Sequence, residues 1–372
     1  MKSYTITCHN VYNYGASLQA YALQKYLDYS EIDNLIIDYR PDYLDWHYKL
    51  SWWISPRSRY YSILTKIPFL RFFYVLCRFF KEIRSFRRKQ SFDGFTKKYL
   101  NRTKIVKNLE DVNEEFFNAE LLITGSDQVW NSINLDNGLD PVFYLNFGKE
   151  SIKRISYAAS FGGSEVYKLE ENRIRKMLHM LDSISVRESS GIDIIKKFGL
   201  TGKLVCDPVL LLSEKQWENA FDNVEFDEKY ILIYNLSKSN ESLLKCANTL
   251  KKQANIKIYS IYNQTHISSD KEFLNADPSM FVHLINNAEC VVTNSFHASV
   301  FSVIFKKDFY SFSDKKKNSA RISNFLNLLG LEDRYNSTIF DFNAHIDYEK
   351  VNPILNDFIE RSKEWLNSQL NI

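Results

Sequence analysis

The sequence predicts an α/β chain made of two successive sets of strand–turn–helix units. Three observations predict it. Short apolar, β-branched runs, among them Glu120 to Thr124, Tyr230 to Leu236 and Glu289 to Thr293, have the length of buried strands. Each runs into glycine, asparagine, serine or aspartate and then into a stretch with helical spacing, which is the repeating unit of a parallel sheet. A polar segment, Ser213 to Asp227, separates the units before residue 210 from those after it, and 372 residues suffice for two domains.

In order, Tyr4 to Cys8 alternates like a short strand, and His9 to Gly15 forms a polar turn. Ser17 is placed to cap a helix from Leu18 to Leu27, so this loop carries Asn13, Tyr14, Gly15 and Ser17 to the strand's carboxyl edge, with Gln19 just inside the helix. Leu35 to Tyr39 is the next strand, stopped by Arg40-Pro41. Glu120 to Thr124 opens into Gly125-Ser126-Asp127-Gln128, and Ile155 to Ala159 into Ser160-Phe161-Gly162-Gly163. A helix from Leu169 to Leu181, a strand from Ser183 to Val186 ending in Arg187, and a strand from Lys203 to Cys206 ending in Asp207-Pro208 complete a first doubly wound domain, 1–211. The second, 212–335, takes strands at 230–236, 256–261, 289–293 and 309–312, and helices at 241–254, 279–286, 298–305 and 321–329. The tail, 336–372, has helical spacing from Val351 to Leu370.

The stretch from residue 46 to about 98 stands apart as an insertion. Between residues 46 and 89 eleven lysines and arginines face one acid, Glu82, and aromatic residues are interleaved with them throughout. That mixture suits an anionic membrane interface. It also fits an insertion helix pair whose rings pack on the body, and nucleic acid is the weaker competing partner.

The totals narrow the class. Net charge is only +3, so the molecule as a whole is no polyanion binder. Five scattered cysteines without a CxxC pair suggest neither a disulfide framework nor a metal site, and buried thiols in a reducing compartment are expected. No run approaches the ~20 apolar residues of a membrane span, and the N-terminus lacks a signal-peptide core, so a cytoplasmic protein is expected.

Val291 to Phe301 carries the strongest chemical signal. A buried strand breaks at Asn294 and Ser295, and a helix begins with His297 in its first turn. Unpaired N–H groups and the helix dipole favour an anion there, and strand carboxyl ends are where open α/β sheets hold ligands. A titratable imidazole beside such a site is a candidate proton carrier, against the plainer reading of a histidine that caps its own helix. Asp127 likewise divides between a ligand contact and a cap of its own turn.

Taken together, Asn13-Tyr14-Gly15-Ala16-Ser17-Leu18-Gln19, Gly125-Ser126-Asp127-Gln128-Val129-Trp130-Asn131, Ser185-Val186-Arg187-Glu188, Asp207-Pro208 and Asn294-Ser295-Phe296-His297 resemble the polysaccharide pyruvyltransferase family. The resemblance implies two Rossmann-like domains facing across a cleft, similar to GT-B glycosyltransferases. It implies phosphoenolpyruvate as co-substrate, no other cofactor, and a sugar with two nearby hydroxyls as acceptor. The product is a pyruvate ketal on a capsular or extracellular glycan, and the acceptor is commonly carried on a polyprenyl diphosphate in the cytoplasmic leaflet. His297 and Arg187 match the family's active-site histidine and donor-binding arginine. Asn294, Ser295, Lys306, Lys307, Lys317 and Arg321 are then candidates for the donor side, the lysines and Arg321 having solvated surface as their plainer reading. Asn13, Tyr14, Gly15, Ser17, Gln19, Ser126, Asp127 and Gln128 are candidates for the acceptor side. The resemblance departs at Ser295, where better-studied members have an arginine. The missing cation then comes from elsewhere, with Arg321 as candidate, or the donor differs. A GT-B glycosyltransferase using a nucleotide sugar, and a non-catalytic glycan-binding relative, are the competing readings.

Overall fold

A computed structural model describes residues 2–44, 61–133, 136–237, 240–261, 268–313 and 319–372. The first domain runs β1 (Lys2–Ile6), α1 (Tyr14–Tyr29), β2 (Asp33–Tyr39), α2 (Tyr61–Lys66), α3 (Pro68–Tyr99), β3 (Arg102–Val106), α4 (Leu109–Glu115), β4 (Leu121–Thr124), β5 (Lys153–Ser156), α5 (Glu171–Leu178), β6 (Ser185–Val186), α6 (Ser189–Lys197) and β7 (Lys203–Leu204). After α7 (Glu214–Glu218) the second domain runs β8 (Tyr230–Tyr234), α8 (Glu241–Ala254), β9 (Lys257–Ile261), β10 (Lys271–Phe273), α9 (Pro278–Asn286), β11 (Cys290–Thr293), α10 (Phe296–Ile304), β12 (Asp308–Ser311) and α11 (Ser319–Leu328), and α12 (Tyr348–Leu370) closes the chain.

Both sheets have the same winding. The first is ordered β3-β2-β1-β4-β5 and the second β10-β9-β8-β11-β12, with every pairing parallel. These are two Rossmann-like domains, as expected. The middle strands are buried on both faces, which is why β4 (Leu-Leu-Ile-Thr) and β8 (Tyr-Ile-Leu-Ile-Tyr) read as continuous apolar runs. The pair β6–β7 extends the first sheet through bridges from Ile155 to Ser183 and from Ala159 to Val186. In each sheet the winding reverses beside the first strand, so the loops after β1 and β4, and after β8 and β11, flank the switch points where such folds hold ligands.

Three elements join the domains. Helix α1 starts at Tyr14, four residues earlier than its spacing predicts, because Asn13 rather than Ser17 caps it, accepting from Ala16 N at 3.2 Å. It is buried on nearly all sides, and the Tyr14 ring stacks on Phe281 of α9 with centroids 4.6 Å apart. The polar linker holds a fully buried tryptophan, Trp217, which touches Tyr21 of α1 and Phe301 of α10. Helix α12 returns to the first domain: Asn367 accepts from the Tyr26 hydroxyl at 2.8 Å and Ser362 Oγ from Cys206 N at 2.9 Å.

The insertion contains one 32-residue helix, α3, preceded by the short α2. Residues 45–60, including the tryptophans of the aromatic stretch, lie outside the described residues. No helix among the described residues is long and apolar enough to cross a membrane.

Candidate functional site

The site is assembled where the two sets of strand ends face each other. Asn294 fixes the end of β11 to the end of β8: its Oδ1 accepts from Leu236 N at 2.7 Å, and its Nδ2 donates to Asn235 Oδ1 and Ser237 Oγ at 2.8 and 2.9 Å. Ser295 then caps α10, accepting from Ala298 N at 3.4 Å. Both residues hold the helix start in place, and His297 follows in its first turn. The imidazole packs against the backbone of α1. A Cβ on Gly15 would lie 1.9 Å from His297 Nδ1, so only glycine leaves room for the ring. On the other side, His297 Nε2 lies 3.4 Å from Asp207 Oδ2, outside hydrogen-bonding geometry, and has no hydrogen-bond partner among the described residues.

Asp207 also receives Arg187, which β6 delivers from the first domain. Arg187 Nη1 donates to Asp207 Oδ2 at 2.5 Å and lies 3.4 Å from Ser126 Oγ, while Nε donates to Glu188 Oε1 at 3.1 Å. Its guanidinium lies over the Phe296 ring, 4.9 Å from the centroid, so each domain holds part of it. The remaining nitrogen, Nη2, is buried and has no partner among the described residues. Burial pushes the Asp207 carboxyl up, but the nearby His297 and Arg187 charges and the Arg187 hydrogen bond outweigh it and hold the group well below the usual carboxylate range. Burial likewise pulls Arg187 down, and Glu188 and Asp207 more than restore it.

Arg321 approaches from α11 of the second domain. With the Gln128 amide turned so that its oxygen faces the guanidinium, that oxygen accepts from both terminal nitrogens at 2.9 and 3.2 Å. Burial and the like charge of Arg187 lower the Arg321 pKa, while Glu188, Asp127 and Asp207 oppose the shift. Arg187, Asp207 and Arg321 share a cavity of about 360 Å³ whose other walls include Val205, Leu210, Phe325 and Phe358. Two arginines beside an apolar wall, with one buried donor open, are suited to a small anion carrying an apolar part.

Several candidates lie elsewhere or have other work. Lys306 and Lys307 sit at the opposite end of α10, about 13 Å of helix from His297. Lys306 pairs with Glu214, and burial lowers the Lys307 pKa among the acids Glu289, Glu214 and Glu218. Closeness in sequence to the helix start is not closeness in space, and neither lysine reaches the site. Tyr14 is fully buried and its hydroxyl donates to Ala276 O at 3.0 Å, which makes it an inter-domain brace with no surface for a sugar. Ser17 and Gln19 are also fully buried, and Gln19 Nε2 is committed to Thr7 Oγ1 at 2.9 Å. Asp127 adopts a left-handed φ of 74°, and its carbonyl accepts from Val129 N and Ser160 N, so it shapes its own turn while its carboxylate acts on both arginines. Lys317 lies outside the described residues.

Asp207, Glu188 and Phe296 join the site through their contacts with Arg187, and all three stand inside the motifs. A buried aspartate at a strand end, followed by proline, was the available signal for Asp207.

A sequence model of the family described as polysaccharide pyruvyl transferase matches residues 13–315. No curated protein matches the chain. Among solved structures it is similar to the UDP-N-acetylglucosamine 2-epimerase of Rickettsia bellii, at 12% identity over 99% of this chain and 98% of that one, with a TM-score of 0.45. It is similar to the UDP-GlcNAc 2-epimerase of Methanocaldococcus jannaschii at 11% identity, 96% and 92% coverage and a TM-score of 0.48. The ADP-heptose lps heptosyltransferase II of E. coli follows at 11% identity, 98% and 100% coverage and a TM-score of 0.37.

Proposed function

This chain belongs to the polysaccharide pyruvyl transferase family, a family of transferase enzymes of polysaccharide synthesis, and from that premise we propose that it moves the pyruvyl group of phosphoenolpyruvate onto two hydroxyls of one sugar. The product is a cyclic ketal and inorganic phosphate leaves. The observation that carries this reading is the buried Arg187, with its open Nη2, beside Arg321 at one inter-domain cavity, with His297 Nε2 3.4 Å from the Asp207 carboxylate that borders it. Phosphoenolpyruvate has two anionic groups and an apolar methylene, which matches two guanidinium groups and an apolar wall. Arg321 stands in for the arginine expected at residue 295.

His297 gives a proton to the enol methylene as one sugar hydroxyl attacks the adjacent carbon. The attacking hydroxyl's proton returns to the His297 imidazole, the second hydroxyl then displaces phosphate, and its proton leaves with the phosphate. Asp207 keeps the imidazole oriented and Arg187 charged. The loops carrying Asn13 and Gln128 lie on the first-domain side of the cleft and are proposed to meet the sugar, whereas Ser126 is fully buried beside Arg187. That sugar belongs to a capsular or extracellular polysaccharide, is carried on a polyprenyl diphosphate, and is modified on the cytoplasmic side.

Incubating the protein with a sugar diol and each donor in turn tests this. Phosphate release from phosphoenolpyruvate is the expected result, and phosphoenolpyruvate alone should raise the melting temperature. Arg321→Gln should raise the KM for phosphoenolpyruvate about 10-fold with little change in melting temperature, since a charged hydrogen bond contributes about 1.5–3 kcal/mol. Consumption of a nucleotide sugar in place of phosphoenolpyruvate would overturn the reading.

A further inference from the structure

We propose that the exposed face of α3 between Phe69 and Phe86 docks on an anionic lipid membrane. Phe69, Phe72, Phe73, Leu76, Phe79 and Phe86 are 67, 53, 46, 36, 44 and 56% exposed. Their spacing sets them on one side of a 3.6-residue helix. Phe73 lies 4.7 Å from Phe69 and 5.9 Å from Phe72 by ring centroid, so the patch is continuous at its outer end. The same helix hides Phe92 and Phe95 at 1% each, where the body of the protein covers them. A row of exposed phenylalanines along one helix face of a folded protein marks a contact surface.

Charge selects the occupant. Residues 61–89 hold eight lysines and arginines and one acid. Two copies meeting through this face would oppose like charges, which disfavours a dimer. Neighbouring rings inclined at 60° and 88° offer no ladder of parallel faces for successive bases, which disfavours single-stranded nucleic acid. Apolar rings flanked by cations match acyl chains below anionic headgroups, and the helix lies along such an interface rather than crossing it.

The placement adds a purpose. Only two residues past Phe86, Arg88 turns inward: its Nη2 donates to Tyr12 O at 3.0 Å and its guanidinium lies 5.6 Å from the Tyr14 ring centroid. Tyr14 adjoins Gly15, against which His297 packs. The docking face therefore ends beside the cleft and would present it to a sugar held at headgroup level. This purpose rests on the lipid-linked acceptor proposed above, whereas the docking itself does not.

The test is sedimentation of the full chain with phosphatidylcholine vesicles containing about a third phosphatidylglycerol, with neither donor nor acceptor present. Binding should exceed that to phosphatidylcholine alone by about 10-fold and fall with salt. Replacing Phe69, Phe72, Phe73 and Phe79 together with serine should lower it about 10-fold. Because four substitutions can impair expression, Phe72→Trp serves as a second reporter, and its emission should shift to the blue with anionic vesicles. No binding at low salt, no spectral shift, or vesicle binding unchanged by the serine variant would overturn the proposal. So would a variant that abolishes a dimer, or RNA binding, while vesicles are ignored. A failure here leaves phosphate release from phosphoenolpyruvate untouched, and the reverse also holds.

Discussion

Asp38 and Asp207 each gather a histidine and an arginine, yet the two clusters are built for different ends. Asp38 stands on β2 and takes everything from its own sheet. His9 Nε2 lies 3.2 Å away, Arg40 forks onto both oxygens at 2.6 and 2.9 Å, and Arg102 reaches Oδ2 at 2.6 Å. The second nitrogen of His9 is engaged as well, 3.2 Å from Thr7 O. Asp207 takes its arginine from its own domain and its histidine from the other, and its partners keep open valences at Arg187 Nη2 and His297 Nε2. The Asp38 set also leaves one buried nitrogen, Arg102 Nε, without a partner among the described residues, but all its members come from one domain and none lines the Arg187 cavity, so it holds a fold together. A set that spans two domains and places its open donor, Arg187 Nη2, among residues bordering a cavity is available to a ligand.

Asp207→Asn and Asp38→Asn should separate these roles. Both remove a buried charge from between cations, and each should cost about 3 kcal/mol of stability. Only Asp207→Asn should also lower kcat/KM, by about 10³-fold, because His297 and Arg187 lose their shared anchor. Paired denaturant melts and steady-state kinetics read both quantities. Equal loss of activity in the two variants would erase the distinction.

Gly15→Ala attacks the same site from the α1 side. The added methyl would overlap the imidazole, so the ring or the helix must move. A destabilisation of about 2 kcal/mol is expected from overpacking. Turnover should fall by about 100-fold, since a misplacement near 1 Å has that effect. Activity that survives intact would remove His297 from the chemistry.

Acid should weaken both clusters in the same direction. Burial raises both carboxyls, but at Asp207 the His297 and Arg187 charges, and at Asp38 the bonds and charges of His9 and Arg40, leave them below the ordinary range. The folded state therefore binds fewer protons than the unfolded one. Stability is fully present above the unfolded carboxylate value of about 3.9 and is lost as pH falls toward the lower folded values. Asp207→Asn should flatten part of that slope, which chemical melts at stepped acid pH will register.

The contrast also explains what the sequence revealed. The inner strands were legible because burial on both faces makes them unbroken apolar runs, as in β8 and β11. The edge strands β3 and β10 were not, because Arg102 and Lys104, or Lys271 and Glu272, break the pattern on strands bonded along one side only. The start of α1 was misplaced because a helix packed between two domains has no polar face to mark its phase. At the site, His297 and Arg187 were visible as polar residues at strand ends. Asp207 gains its meaning from His297, ninety residues later, and such a contact leaves no local trace. Lys307 was misassigned because α10 carries it away from the site at 1.5 Å per residue.

Tyr14→Phe gives the smallest expected effect and the finest discrimination. Tyr14 was a candidate for the sugar side, but its ring is stacked between the domains and its hydroxyl donates to Ala276 O at 3.0 Å. Removing the oxygen keeps the stacked ring and leaves one buried carbonyl without its donor, at a cost of about 1 kcal/mol. If the hydroxyl braces the domains, the melt should shift by that amount while the acceptor KM stays within about twofold, since the lost bond lies outside the cleft. If it instead touches the sugar, the acceptor KM should rise about 10-fold with the melt unchanged, because a lost substrate hydrogen bond appears in binding rather than in folding. Measuring the two quantities on one preparation decides whether the first turn of α1 holds the cleft together or reads its contents.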